Sequence, residues 1–288
     1  MQTINDFNEY QVLDMAHGEK VEQWGQFVLR RPDPQIIWLE ETNQNIWKKV
    51  DAKYSRSSTG GGAWEINNTK LRQPFRINYH DLKFNIKLMG FKHTGLFPEQ
   101  AFNWNYVREV IKNSNRQVNV LNLFAYTGAM SVAALKEGAY VTHVDSSKGM
   151  VEWAKENVKS NNLENEKIRY IVDDVIKFVK REKSRGQKYD IIIMDPPSFG
   201  RGSQKEVWTI EKDLDTLIKL CLEILSDQPL MVLINSYTTG LSTATLENLL
   251  QINIAKKYKG KIYCDELGIK MNNSDLILPC GGFARWES

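Results

Sequence analysis

Tyr189-Asp190-Ile191-Ile192-Ile193-Met194-Asp195-Pro196-Pro197-Ser198-Phe199 reads as a buried strand that ends on an acid and runs at once into a stiff turn. Each proline fixes its own φ and carries no N–H, and Pro197 pushes Pro196 toward an extended conformation. The turn is therefore rich in acceptors and poor in donors. It aims the Asp195 carboxylate and the Pro196 carbonyl out of the sheet, toward a partner with N–H or cationic edges. The same residues also fit an ordinary turn, because Asp-Pro pairs commonly start one.

Outward from this strand, the chain from Arg116 onward alternates strand and helix. Val118-Asn119-Val120-Leu121-Asn122-Leu123 is a buried strand, followed by a helix over residues 129–137 that Gly138 stops. Tyr140-Val141-Thr142-His143-Val144 is the next strand. Met150, Val151, Ala154 and Val158 then recur at helical spacing. Ile168-Arg169-Tyr170-Ile171-Val172 and Leu230-Met231-Val232-Leu233-Ile234 continue the series, and Asp275-Leu276-Ile277-Leu278-Pro279-Cys280 reads as a last, antiparallel strand. Alternating β and α units predict a doubly wound, mostly parallel α/β sheet of Rossmann type, covered by helices on both faces. Residues 11–91 differ. Short alternating stretches such as Gln26-Phe27-Val28-Leu29-Arg30, Gln35-Ile36-Ile37-Trp38-Leu39 and Asp81-Leu82-Lys83-Phe84-Asn85-Ile86-Lys87-Leu88 are separated by Arg31-Pro32-Asp33-Pro34 and Ser57-Ser58-Thr59-Gly60-Gly61-Gly62. They predict short antiparallel strands. The expected division is a small β-rich N-terminal domain over 1–90 and an α/β domain over 91–288.

The 288 residues are 42% hydrophobic and 25% charged, so a sizeable core is expected. A net charge of +3 permits an anionic partner without demanding one. Three widely spaced cysteines, Cys221, Cys264 and Cys280, argue against a disulfide frame or a zinc cluster and fit a reducing cytoplasm. No signal peptide and no membrane span is expected.

Ligands of a doubly wound sheet sit at the carboxyl ends of its strands. The first strand leads into Phe124-Ala125-Tyr126-Thr127-Gly128-Ala129-Met130, where Gly128 opens a helix after a tight turn and backbone N–H groups are free to face a ligand. Two of the three glycines that let a backbone approach a pyrophosphate are missing. S-adenosylmethionine, a nucleoside with an amino-acid tail and no phosphate, suits this turn better than a dinucleotide; an ordinary strand-to-helix turn is the alternative. Asp145, followed by Ser146, ends the second strand, where an acid either accepts from ribose hydroxyls or caps the next helix. Asp173-Asp174-Val175 ends the third: one carboxylate is placed for an adenine amino group and the next N–H for a ring nitrogen, or Asp174 caps the following helix. Asp195 ends the fourth. The four ends together, in order, are the signal.

In this order the residues resemble a class I S-adenosylmethionine-dependent methyltransferase. They come closest to the bacterial ribosomal RNA cytosine methyltransferases with an Asp-Pro-Pro-x-Phe motif. The resemblance covers about residues 90–240, and Asn122 to Gly128, Asp145, Asp174 and Asp195 to Phe199 carry it. It implies S-adenosylmethionine as cofactor, RNA as partner, and cofactor contacts from Phe124, Ala125, Tyr126, Thr127, Gly128, Asp145, Ser146, Asp174, Val175 and Asp195. It implies Asp195, Pro196 and Phe199 as the catalytic set. His93-Thr94-Gly95-Leu96-Phe97-Pro98-Glu99-Gln100 resembles that family's loop over the cofactor, which makes Gln100 a further contact. The first ninety residues hold twelve Lys/Arg against eleven Asp/Glu, so no strong phosphate-binding surface shows there. Trp24, Trp38, Trp47 and Trp64 read as core before they read as base-stacking groups.

One position departs from the resemblance. Carbon 5 of cytosine is a poor nucleophile, and a cysteine thiolate must first add to the ring. That family's cysteine lies after the fifth strand, where this chain has Asn235-Ser236-Tyr237-Thr238-Thr239-Gly240-Leu241. Tyr237 or Thr238 stands in its place. Ser198 also separates the prolines from Phe199, and the basic loop Gly200-Arg201-Gly202-Ser203-Gln204-Lys205 that follows suits a phosphate backbone or plain solvent. Methylation of a protein or small molecule, hydride transfer with a nicotinamide, and cofactor binding without activity remain as alternatives at this level.

Overall fold

The computed structural model describes residues 1–57, 61–202 and 206–288. Ser58, Thr59 and Gly60 of the glycine-rich segment, and Ser203, Gln204 and Lys205 of the basic loop, lie outside the described residues. The chain forms two compact units: Gln2–Phe102 with Gly268–Cys280, and Asn103–Leu267 with Gly281–Ser288. This division falls later than the expected boundary after residue 90, and it returns a C-terminal segment to the N-terminal unit.

In the N-terminal unit, a short β1 (Gln2–Thr3) precedes β2 (Tyr10–Ala16), β3 (Glu19–Trp24) and β4 (Phe27–Pro32). After the one-turn helix α1 (Gln44–Trp47) come β5 (Ala52–Arg56), β6 (Gly62–Ile66), β7 (Phe75–Tyr79) and β8 (Leu82–Ile86). Strands β2-β3-β4-β5-β6 form one sheet in that order, and β7 pairs with β8. His17 and Gly18, with φ of 56° and 72°, make the two-residue turn between β2 and β3. Positive φ at both central residues matches the twist of a hairpin. Two expectations fail here. The β4–β5 pairing is parallel, Leu29 opposite Ala52, because the segment between them is long enough to cross over rather than turn back. Residues 35–39 are not a strand. Ile36 is buried and Ile37 and Leu39 are exposed, as in a strand, but Pro32 and Pro34 remove donors from the approach. The Trp38 carbonyl receives a single backbone bond, from His17 N–H (2.9 Å).

Charge is sealed inside this unit. Glu22 accepts from Arg31 Nε (2.5 Å), Arg31 Nη2 (2.9 Å) and Tyr10 Oη (2.7 Å), with Lys20 Nζ 3.4 Å away. Trp24 and Trp47 are core residues. The Trp47 indole N–H donates to the buried Asp14 carboxylate (2.8 Å), which also takes the Thr42 and Asn43 N–H groups. Trp38 and Trp64 are half-buried.

The second unit is the expected α/β sheet. Helix α2 (Ala101–Asn113) leads into β9 (Asn119–Leu123), α3 (Ala129–Lys136), β10 (Tyr140–Asp145), α4 (Lys148–Ser160), β11 (Ile168–Val172), α5 (Val175–Ser184) and β12 (Ile191–Met194). A small hairpin, β13 (Phe199–Arg201) and β14 (Val207–Thr209), precedes α6 (Ile210–Glu223), β15 (Met231–Ser236), α7 (Thr243–Asn253), β16 (Lys261–Lys270) and β17 (Ile277–Glu287). The strands stand in the order β16-β17-β15-β12-β9-β10-β11. Strands β15, β12, β9, β10 and β11 are parallel, and β17 runs antiparallel to β15. Every residue of β12 is buried, as its unbroken apolar run requires when helices cover both faces. Ile192, Val232, Phe178, Leu217 and Ile218 belong to one continuous core. Among the described residues no helix is long and apolar enough to cross a membrane. Nor is any group of three His, Cys, Asp or Glu side chains placed to hold a metal.

Candidate active site

Strand register sets the site. Leu123 lies opposite Val144 and Met194, and Met194 opposite Ile234. One residue further on, Asp145, Phe124, Asp195 and Asn235 stand level at the carboxyl ends of adjacent strands, with Val172 level with Asp145. Neighbouring strands are about 4.8 Å apart, so Asp145 and Asp195 stand about 10 Å from each other with the Phe124 turn between them. The chain reverses its winding direction between β9 and β12, which is where a doubly wound sheet opens a crevice.

The turn after β9 alternates into the left-handed region, with φ of 55° at Phe124, 50° at Tyr126 and 81° at Gly128. Its N–H groups are more committed than expected. Ala125 N–H donates to Val144 O (3.0 Å), Gly128 N–H to Ala125 O (3.0 Å), and Tyr126 N–H to Asp145 Oδ2 (2.8 Å). Gly128 is required twice over: its φ disfavours a side chain, and a Cβ would lie 2.8 Å from Ala154 Cβ on α4. Asn157 on α4 ties the turn down by donating to Thr127 O (2.8 Å).

Asp145 is not the cap of α4, which is Ser147. Its Oδ1 accepts Ser147 N–H (2.8 Å) while Oδ2 holds Tyr126. Burial raises this carboxyl above its ordinary range, and the two N–H groups offset part of that. Each oxygen has a second lone pair, so the clamp still accepts from hydroxyls. Ser146 beside it is exposed. Asp174 is the N-cap of α5, accepting Lys177 N–H at Oδ1 (2.9 Å). Asp173 instead pairs with Arg181, and Val175 is buried.

At the end of β12, Asp195 is half-buried and Pro196 buried, while Pro197, Ser198 and Phe199 are exposed. The Pro197 carbonyl accepts the Trp208 indole N–H (2.7 Å). Thr238, after β15, sits with its hydroxyl 2.7 Å from that of Ser198. No thiol lies there. Cys221 is buried on α6 and burial pushes it far above the usual thiol range; Cys264 Sγ on β16 lies 3.2 Å from Glu247. Gln100 belongs to the other unit, buried on the short 3-10 turn Pro98–Gln100.

Two features escaped the sequence reading. Asn235, level with Asp195 on the neighbouring strand, is buried and accepts from Asn103 Nδ2 (3.0 Å). An amide in the otherwise apolar Met231-Val232-Leu233-Ile234 run was the available signal. Beneath the first turn, Asn122 Nδ2 donates to Ser131 Oγ (3.0 Å), which lies 3.0 Å from His143 Nδ1. Burial drops this imidazole to about 3, so it is neutral.

The donor set fits S-adenosylmethionine. Successive strand ends offer carboxylate acceptors for ribose hydroxyls, an amino group and a cationic sulfonium, and no glycine-rich cradle for a pyrophosphate.

Comparison with known proteins agrees. The S-adenosylmethionine-dependent methyltransferase family matches residues 30–249. A ribosomal RNA large subunit methyltransferase K/L from Colwellia psychrerythraea is 29% identical over 77% of this chain and 30% of its own length. A ribosomal RNA large subunit methyltransferase I from Salmonella enteritidis is 31% identical over 68% of this chain and 47% of its own. This chain thus spans a third to a half of the length of these relatives. The crystal structure of a SAM-dependent methyltransferase from Agrobacterium tumefaciens superposes with a TM-score of 0.94 at 33% identity, covering 99% of this chain and 92% of that one. The chain belongs to the S-adenosylmethionine-dependent methyltransferases, with S-adenosylmethionine as its cofactor.

Proposed function

We propose that this chain methylates a nitrogen on a base of RNA, ribosomal RNA by the names of its relatives. The observation that carries the reading is the strand-end row closed by Asp195-Pro196-Pro197, with Thr238 rather than a thiol on the next loop. The bound cofactor supplies a methyl carbon made electrophilic by a sulfonium. The protein supplies position and exclusion of water. Asp145 would accept the ribose hydroxyls on the lone pairs that Tyr126 and Ser147 leave. Asp174 Oδ2 would take the adenine amino group and Val175 N–H a ring nitrogen, with Phe124, Ala125, Thr127, Gly128 and Ser146 lining the rest. Asp195 and the Pro196 carbonyl accept N–H groups of the acceptor and turn its lone pair toward the methyl, and Phe199 stacks on the base. The new N–C bond would replace the sulfonium S–C bond, with S-adenosylhomocysteine as the leaving group, and Asp195 would take the acceptor's proton or pass it to water. A threonine hydroxyl is far too weak an acid to serve as the thiolate that carbon-5 methylation needs. Three free cysteines fit work in the cytoplasm.

The test is transfer of label from methyl-tritiated S-adenosylmethionine into RNA from cells lacking this protein, with a matched protein fraction beside it. Label in RNA is expected. Label in protein alone would replace the reading with a protein methyltransferase.

A further inference from the structure

The hairpin that follows Asp195-Pro196-Pro197 has two unlike faces. Phe199 pairs with Thr209, Gly200 with Trp208 and Arg201 with Val207. Alternation along the strands therefore puts Gly200 and Trp208 on one side and Phe199, Arg201 and Val207 on the other. The first side is fixed. Trp208 is 6% exposed, its N–H is held by the Pro197 carbonyl (2.7 Å), and its ring lies 4.8 Å from that of Phe124. The second side faces solvent, with Phe199 54% and Val207 60% exposed and Arg201 exposed between them. The Arg201 guanidinium stands 5.8 Å from the Phe199 ring centre. The strand pair, anchored on one side through Trp208, therefore shows two large apolar side chains and a cation on the other.

The site begins four residues after Asp195, so an acceptor base held at Asp195 and Phe199 leads its chain directly onto Arg201 and Val207. Exposed apolar side chains beside a guanidinium suit a nucleotide, whose base covers apolar surface while its phosphate meets the charge. We propose that Arg201 and Val207 form a subsite for the nucleotide adjoining the acceptor base in single-stranded RNA, the phosphate at Arg201 and the base over Val207. This rests on the RNA reading above.

The experiment is fluorescence anisotropy of the full chain with a fluorescein-labelled 12-nucleotide single-stranded RNA across a salt series, for the unaltered protein, Arg201→Ala and Val207→Ser. Arg201→Ala should weaken binding about fivefold to tenfold and flatten the plot of log affinity against log salt by about 0.7, the release expected for one phosphate of a single strand. Val207→Ser should weaken binding about threefold to fivefold, through lost apolar burial, without changing that slope. Both should bind S-adenosylmethionine within twofold of the unaltered protein by calorimetry, which shows that each is folded. If the unaltered protein binds the RNA and both variants bind it equally well, the subsite is overturned while the RNA reading stands. If the unaltered protein does not bind the RNA, the RNA reading fails and takes the subsite with it. If a labelled acidic peptide loses more affinity than the RNA in Arg201→Ala, the face belongs to a protein partner and the proposal is overturned.

Discussion

In the N-terminal unit, Glu22, Arg31, Lys20 and Tyr10 meet one another, with Asp33 and the Lys92 carbonyl as further partners of the two cations. In the sheet unit, Asp145 accepts one backbone N–H on each oxygen and Asp174 one on a single oxygen, and both keep further lone pairs at strand ends. Both arrangements hold acids in place, but one does so with side chains and the other with backbone N–H groups. The difference sorts consequences. Losing a member of the first should harm folding, and losing a member of the second should harm binding or turnover in a protein that still folds.

The largest expected effect breaks the first region. Burial works against the Glu22 carboxylate, but Arg31 and Lys20 outweigh it and hold the group down at about 2. Its contribution to stability is present above the ordinary carboxylate range and is lost as pH falls through about 2. Glu22→Gln leaves the buried Arg31 guanidinium without its carboxylate and should destabilise the fold by about 3–5 kcal/mol in urea unfolding at neutral pH. A midpoint within error of the unaltered protein would erase the contrast. Next comes Asp195→Asn, which should cut turnover about a hundredfold or more while S-adenosylmethionine affinity stays within a few-fold; near-normal turnover would remove Asp195 from the acceptor site. Asp145→Ala should weaken cofactor binding by about 1–3 kcal/mol, and unchanged calorimetric affinity would refute the ribose assignment. The smallest effect sharpens the first region. Burial, partly offset by Lys20 and Arg31, raises the Glu99 carboxyl to about 7. Stability from this group is complete below the ordinary range and declines as pH rises through about 7. Glu99→Gln should therefore raise the melting temperature at pH 8 by about 2–4 °C and change little at pH 5. An equal shift at both values would show that ionisation is not the cause.

Much of the sheet unit was legible because its rules are local. Apolar runs, single caps and Gly128 lie within a few residues of what they control, and the acids at the strand ends are where alternating β and α units put them. Asp145 shows where locality stops. Neither ribose binding nor a cap describes its hold on Tyr126, nineteen residues earlier, which exists only because β9 and β10 are neighbours. The same applies to Asn235 and Asn103, paired across 132 residues. In the N-terminal unit, the alternation of Ile36, Ile37, Trp38 and Leu39 recorded burial correctly but not the ladder, because inward and outward packing does not require a partner strand. The parallel β4–β5 pair left no mark in either strand.

The acceptor half of the row carries the central proposal, a nitrogen acceptor, which rests on Thr238 standing beside Ser198 with no thiol there. Nucleoside analysis of RNA labelled by this protein tests it most directly. Methyl on a ring or exocyclic nitrogen is the predicted result, and 5-methylcytidine would contradict the account.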